Sequence, residues 1–270
     1  MNSLIIQEET LTLTKTFVGD DVLPTDESGR QARYTSQSGP AARYIQATRF
    51  QPDLISINGP MLAVKHVAKA VARPDIALPA VEHTPAMPLS LAMMSRRSDR
   101  YYGPAIVSLQ QLSTLLAIAA GASTDAPDKR HYPSGGGYYP VNLYLVVRSV
   151  SGLTAGAYRY VPEHHGLNRV SDDVIIDDPA LAGLLVPNAS MMMFLTHDLT
   201  HQYRKYGELS YKLALLEAGH LAQNICLAME ALALKGCPLQ TYFNDHVDQN
   251  LNLDTARETV CYGIEIGSKH

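Results

Sequence analysis

The stretch from Glu208 to Leu234 limits the folds open to this chain more than any other. Read as a helix, it places Leu209, Leu213, Leu216, Leu221, Ile225, Leu227 and Leu232 on more than one side. A helix washed by water on one flank keeps its apolar residues in a single stripe, so one that is apolar on several sides has to be enclosed. The expectation is a central helix buried by the fold and by a second copy across a subunit interface. At 270 residues, 46% hydrophobic and 18% charged, the chain has material for one substantial core plus a small appendage.

Other elements fall on either side of that helix. Ser108-Leu109-Gln110-Gln111 is a capping box that opens a helix running to Gly121. Val141–Val150 reads as a strand. The segments 157–160 and 167–170 flank Val161-Pro162-Glu163-His164-His165-Gly166 as a hairpin. Residues 178–186 suggest a short helix, 190–196 a buried strand and 259–267 a final strand. From the residues alone this is α+β or mixed α/β. The first 88 residues differ in texture. Asp20–Pro40 is rich in loop formers, Gly59–Val71 has helical spacing, and Pro74, Pro79, Pro85 and Pro88 punctuate an extended segment. Two regions are therefore expected: an N-terminal arm, 1–88, wrapped on a core domain, 89–270.

A net charge of −4 gives no general attraction to nucleic acid or anionic lipid. No apolar run reaches the roughly 18 residues of a membrane span, and the N-terminus leads into acidic residues rather than a basic-then-apolar signal. The expected location is the cytoplasm. The three cysteines have no CxxC spacing and read as free thiols. The ten histidines offer no HxxxH or HExxH spacing on a helix, so no metal is expected.

Four segments have the residue types for chemistry. In Arg96-Arg97-Ser98-Asp99-Arg100, the arginines at 96 and 100 would share a helical face, and guanidinium forks match phosphate oxygens; a solvated basic turn is the alternative. Pro133-Ser134-Gly135-Gly136-Gly137 exposes backbone that a flat ligand can approach closely, or is simply a turn. Lys205 and Tyr206 set two titratable groups side by side at the mouth of the long helix. Cys237-Pro238-Leu239-Gln240-Thr241-Tyr242 follows it and reads equally well as a plain connection. Within the helix, the amide of Asn224 and the carboxyl of Glu217 stand among apolar neighbours. Buried polar groups need partners, so a structural network competes with ligand binding at Asn224, and an arginine partner competes with catalysis at Glu217.

Taken in order, the four segments resemble the flavin-dependent oxidases of azole biosynthesis, the SagB-type dehydrogenases, which are relatives of the FMN nitroreductases. The resemblance covers roughly Leu89 to Gly267. It implies an α+β nitroreductase-like FMN-binding fold, a central, mostly antiparallel sheet flanked by helices, in a homodimer with flavin sites between subunits. It also implies that Arg96, Ser98 and Arg100 hold the FMN phosphate and ribityl chain, with Lys269 the one basic residue after the last strand. Pro133, Ser134, Gly135 and Gly136 would meet the flavin of the opposite subunit. The backbone of Pro238, Leu239, Gln240 and Thr241 would line the isoalloxazine, and Asn224 joins the cofactor set. Gly137 and Tyr139 stand where the reductases commonly hold Asn and Gln, a pattern that favours the azoline-oxidase branch.

In that branch Lys205 and Tyr206 carry the acid–base work. The implied reaction is oxidation of peptide thiazolines or oxazolines to thiazoles or oxazoles, as in ribosomally made modified peptides. Either neutral Lys205, with Arg204 beside it, or ionised Tyr206 is the base; Lys205 is the first choice. The implied partners are an azoline-containing precursor peptide and a YcaO-type cyclodehydratase complex that makes the azoline. A nicotinamide-dependent flavin reductase for nitro compounds, quinones or dehydroamino acids is the alternative, and a non-catalytic scaffold in a peptide-modifying complex is a third.

Overall fold

In the computed structural model, residues 40–48, 73–81, 83–172 and 189–269 are described. The helices expected at 59–71 and 178–186 lie outside these residues, as does the loop expected at 20–40 apart from Pro40, which opens helix α1, Pro40–Ala47. The chain divides into two units, Met1–Arg49 and Phe50–His270. Everything below concerns the second unit.

A seven-stranded sheet is its frame. The strands are β1 (Ile76–Ala77), β3 (Val141–Val147), β5 (Gly156–Val161), β6 (Gly166–Ser171), β7 (Met191–Asp198), β8 (Leu234–Leu239) and β9 (Glu258–Ser268). Their order is β1-β6-β5-β3-β7-β9-β8, and every neighbouring pair is antiparallel. Two short parallel strands, β2 (Val107–Ser108) and β4 (Val150–Ser151), form a separate pair. The expected strand at 141–150 thus stops at Val147, and Val150 belongs to that second sheet. The two-residue β1 comes from the proline-punctuated segment and closes one edge of the large sheet on β6.

Because strand side chains alternate between faces, the sheet carries two cores. On one face Leu143, Leu145, Met191, Met193, Ile264 and Ile266 pack against helix α3 (Leu109–Ala120) and helix α5 (Leu209–Ala231). On the other, Tyr144, Val146, Met192, Phe194 and Val260 pack against Val247 and Leu251 at helix α6 (Asn244–Asn250). The capping box at α3 forms as expected: Ser108 Oγ accepts from Gln111 N–H at 3.1 Å, and Gln111 Oε1 accepts from Ser108 N–H at 3.0 Å. The histidine turn forms too, with His165 in the left-handed region at φ 43°.

Three expectations need correction. The long helix starts at Leu209 and ends at Ala231, shorter at both ends than expected; within one protomer Ala218, Leu221, Ile225 and Met229 point inward, while Tyr211, Leu216 and Gln223 are exposed on the side expected to meet a second copy. Its last expected turn is lost because Ala233 takes φ 55° and Leu234 enters β8. Cys237-Pro238-Leu239 is strand rather than connection, which is possible at Pro238 because β8 is an edge strand. Finally, Arg96 and Arg100 share no helical face. Helix α2 (Leu89–Ser95) ends with Arg96 as its C-cap at ψ 128°, and the run continues without regular structure.

Candidate active site

Lys205 and Tyr206 form the last turn of helix α4 (Thr200–Tyr206), a short helix of its own ahead of α5. Gly207 caps it at φ 53°, ψ −137°, a conformation that costs a residue without Cβ little and that separates the two helices. Three contacts fasten α4 to the glycine loop some seventy residues earlier. Gln202, fully buried, donates from Nε2 to Gly135 O at 3.0 Å. The Tyr206 hydroxyl lies over Gly136, where a built Cβ would stand 2.6 Å from that oxygen. Lys205 Nζ sits 5.8 Å from the centre of the Tyr138 ring and 5.2 Å from that of Tyr206, and the two rings meet edge-on at 6.1 Å.

The loop holds its shape through its own residues. Gly136 and Gly137 both take φ 70°, and Tyr139 takes φ 49°. Ser134 accepts twice, its Oγ from Tyr139 N–H at 2.8 Å and its carbonyl from Gly137 N–H at 3.0 Å. Arg130 pairs with Glu163 and lies 5.4 Å from the Tyr139 ring centre, so its guanidinium serves the fold rather than a ligand. Beneath the loop is Glu217 of α5, 1% exposed, whose Oε1 accepts from Val141 N–H at 3.4 Å. Burial raises this carboxyl to about 7; the nearby Ser134 hydroxyl, the Val141 amide and the Arg130 guanidinium act in the opposite direction. The arginine considered as its partner is thus a neighbour that exerts a field on it.

The remaining candidates lie away from this loop or at its margin. The 96–100 run docks on the outer edge of β8: Asp99 N–H donates to Gly236 O at 3.0 Å, and its carboxylate pairs with Lys235. Arg97 spends its guanidinium on Met94 O and Arg96 O. Among the described residues neither Arg96 nor Arg100 is in an ion pair, and Ser98 is exposed. Gly103 N–H bonds Ser268 O at 3.0 Å, which brings the end of β9 and exposed Lys269 to the same side. Pro238 and Leu239 end β8; Gln240, by donating to Cys261 O at 2.6 Å and accepting from Tyr242 Oη at 3.0 Å, fixes the exit toward Thr241. Asn224 belongs to neither group: its Nδ2 donates to His131 O at 2.9 Å and Ala119 O at 3.4 Å, the structural network weighed for it above.

Helix α5 measures the gap between the groups. Leu213 packs against Gly135, whereas the field of Arg96 reaches Cys226. Thirteen residues at 1.5 Å each put these points about 20 Å apart. Within one protomer the structure therefore unites Lys205, Tyr206 and Pro133–Gly136, and separately gathers Arg96–Arg100 and Lys269 beside the start of β8. Pro238–Thr241 lie at the other end of that strand, where Gln240 meets Cys261, a neighbour of Glu217. Sequence reading passed over Tyr138 and Gln202. The helical spacing from Gln202 to Lys205 and Tyr206 was the one signal for the latter, while Tyr138 offered none beyond adjacency to the glycines.

Comparison with known proteins accords with this architecture. The nitroreductase family model matches residues 93–268. A nitroreductase-type protein of Methanocaldococcus jannaschii is 30% identical over 182 residues, which cover 66% of this chain and 90% of that protein. The microcin B17-processing protein McbC of Escherichia coli is 26% identical over 159 residues, 55% of this chain and 57% of McbC. Among solved structures, a nitroreductase-type protein of Ralstonia eutropha superposes with a TM-score of 0.64 at 23% identity, covering 75% of this chain and 96% of that one. A chain of the E. coli microcin synthetase McbBCD complex with truncated pro-MccB17 bound gives 0.55 at 20% identity, covering 84% and 86%. Both superpositions speak for the fold. The chain belongs to the nitroreductase family, a family of flavin-dependent oxidoreductases.

Proposed function

We propose that this chain is an FMN-dependent dehydrogenase that converts peptide thiazolines or oxazolines to thiazoles or oxazoles. The observation that carries the reading is the Lys205–Tyr206 pair folded onto the glycine loop by Gln202 and Gly136. Transfer of hydride to or from a nicotinamide needs no base, whereas aromatising an azoline removes a proton from Cα as well as a hydride from the ring methylene. A base within hydrogen-bond reach of that proton is what this pair offers. McbC, a peptide-processing protein by name, and the McbBCD superposition support the same choice.

The residues suit FMN. Arg96 and Arg100 are in no ion pair among the described residues and stand ready for a phosphate, with the Ser98 hydroxyl between them and Lys269 on the same side. The loop at Pro133–Gly136 and the strand end at Pro238–Thr241 offer backbone to a flat ring. Bound there, FMN supplies a two-electron acceptor that dioxygen reoxidises. Lys205 and Tyr206 take and hold the proton, and the loop beneath them keeps the two groups in place.

The separation of the two residue groups favours a homodimer in which each site draws on both copies. The exposed Leu216 and Tyr211 of α5, with Leu89, Leu91, Met93 and Met94 of α2, are apolar surface for such an interface. The partners proposed with it are an azoline-bearing precursor peptide and the cyclodehydratase that forms the azoline.

The test begins with the visible spectrum of the purified protein and chromatography of the released chromophore, then an azoline peptide offered without nicotinamide. Expected are FMN and a mass loss of two hydrogens per ring. Lys205→Ala and Tyr206→Phe are expected to keep FMN and lose about a hundredfold or more in kcat. Full dehydrogenation by both variants would remove the pair from the chemistry. The relative from Methanocaldococcus supports a second reading, a nicotinamide-driven reductase. Rapid flavin reduction by NADH or NADPH, with azoline peptide untouched, would select it.

A further inference from the structure

We infer that Tyr138 is a positioning residue for Lys205, its ring holding the lysine head group at the glycine loop together with the ring of Tyr206. The inference rests on the proposed role of Lys205 for its kinetic consequence, though not for its geometry.

Lys205 Nζ is 5.8 Å from the Tyr138 ring centre and 5.2 Å from that of Tyr206. Both lie within the roughly 6 Å over which an aromatic face attracts a cation. The two rings are nearly perpendicular, at 79°, so Lys205 Nζ faces a corner built of two side chains rather than one flat surface. A four-carbon lysine stem is the side chain least able to hold a position unaided. Among the described residues Lys205 is in no ion pair, and the ring contacts are the interactions that place it.

The loop fixes Tyr138 in turn. Gly136 and Gly137, each at φ 70°, turn the chain so that Tyr138 ends the single turn at 135–137 with helical φ/ψ. The next residue, Tyr139, is locked at φ 49° by its amide bond to Ser134 Oγ. The ring edge packs on Gly136, where a built Cβ would come within 3.1 Å of it. The strained loop therefore aims an aromatic face at the end of α4, and the half-buried Tyr138 side chain links the loop's conformation to the position of Lys205.

The experiment uses the FMN-loaded protein with its lysines reductively dimethylated with ¹³C, which preserves their charge. The Lys205 resonance is assigned by its absence from Lys205→Arg. Ring currents are expected to set it upfield of the other lysines. In Tyr138→Leu it should move toward the position of the exposed lysines; in Tyr138→Phe it should stay. With azoline peptide, Tyr138→Leu is expected to lose about tenfold in kcat with little change in KM, and Tyr138→Phe to keep near wild-type turnover. A Lys205 resonance unmoved in Tyr138→Leu, or moved equally in Tyr138→Phe, would overturn the inference. Should Tyr138→Leu lose its fold, Tyr138→Gln carries the same comparison. If the wild-type protein oxidises no azoline, the proposed reaction fails while the resonance comparison still decides the role of Tyr138.

Discussion

Replacing Glu217 by Gln should make the protein more stable at neutral pH, although it alters a buried group in the middle of its longest helix. The carboxyl is 1% exposed, and burial lifts it from an ordinary 4.5 to about 7. In the unfolded chain it ionises near 4.5, so between 4.5 and 7 the folded state holds a proton that the unfolded state has released. Stability contributed by this group is therefore whole below pH 4.5, falls as pH rises, and levels off above 7. At about 1.4 kcal/mol per pH unit the loss over that window is about 3 kcal/mol, an upper figure for a group with the Ser134 hydroxyl and the Arg130 guanidinium nearby. Gln has the shape of the protonated acid and retains an oxygen for Val141 N–H, but cannot ionise. Its advantage should be absent at pH 4.5 and reach about 2–3 kcal/mol at pH 7.5, a Tm increase of about 4–12 °C for a domain of this size. The assay is urea unfolding of wild type and variant in parallel from pH 4.5 to 8. Equal pH slopes for the two proteins would refute the reasoning, since the wild-type slope would then come from other groups.

Gly136→Ala places a Cβ at φ 70° and 2.6 Å from the Tyr206 hydroxyl; it should cost about 1–2 kcal/mol in thermal unfolding and displace Tyr206, lowering kcat more than it raises KM. Arg96→Ala and Arg100→Ala should each weaken FMN binding about tenfold to a hundredfold, as read by fluorescence of released flavin, with unfolding of the flavin-free protein unchanged. Unchanged FMN affinity in both would take the phosphate away from this run. If each site draws on two copies, mixing Lys205→Ala with Arg96→Ala subunits yields mixed dimers with one intact site, and activity should recover to as much as half per mixed dimer. No recovery in verified mixed dimers would mean that each protomer builds its own site.

Local signals were enough for some elements and failed at others for physical reasons. Ser108 and Gln111 announce α3 because a capping box satisfies its own N–H groups regardless of the rest of the chain. The hairpin at 161–166 is likewise a local turn problem. Helix α4 escaped because seven residues, Thr200 to Tyr206, offer little apolar periodicity and the helix is held by Gln202 reaching Gly135, 67 residues away. Strand β8 was hidden by Gly236 and Pro238, both poor strand formers, which an edge position tolerates. The arginine run has helical spacing, yet the chain leaves the helix at Arg96 to let Asp99 dock on Lys235 and Gly236, a tertiary contact that no window of sequence contains. The Lys205–Tyr206 pair and the glycine loop were each legible; their mutual contact was not, because it depends on how α4 packs.

Helix α5 also sets the gauge of the molecule. Leu213 fixes one residue group at one end of it, and Cys226 stands by the other near its far end. A rigid rod spaces them, so their separation is counted in residues and is insensitive to loop length. Adding a single residue between 213 and 226 would advance one end by about 1.5 Å and turn it by about 100°, throwing the two groups out of phase as well as out of reach. Such a rod cannot stretch or slacken to follow a ligand. Any change in what the site accommodates is thereby left to the loops at its two ends, with the spacing between them a constant.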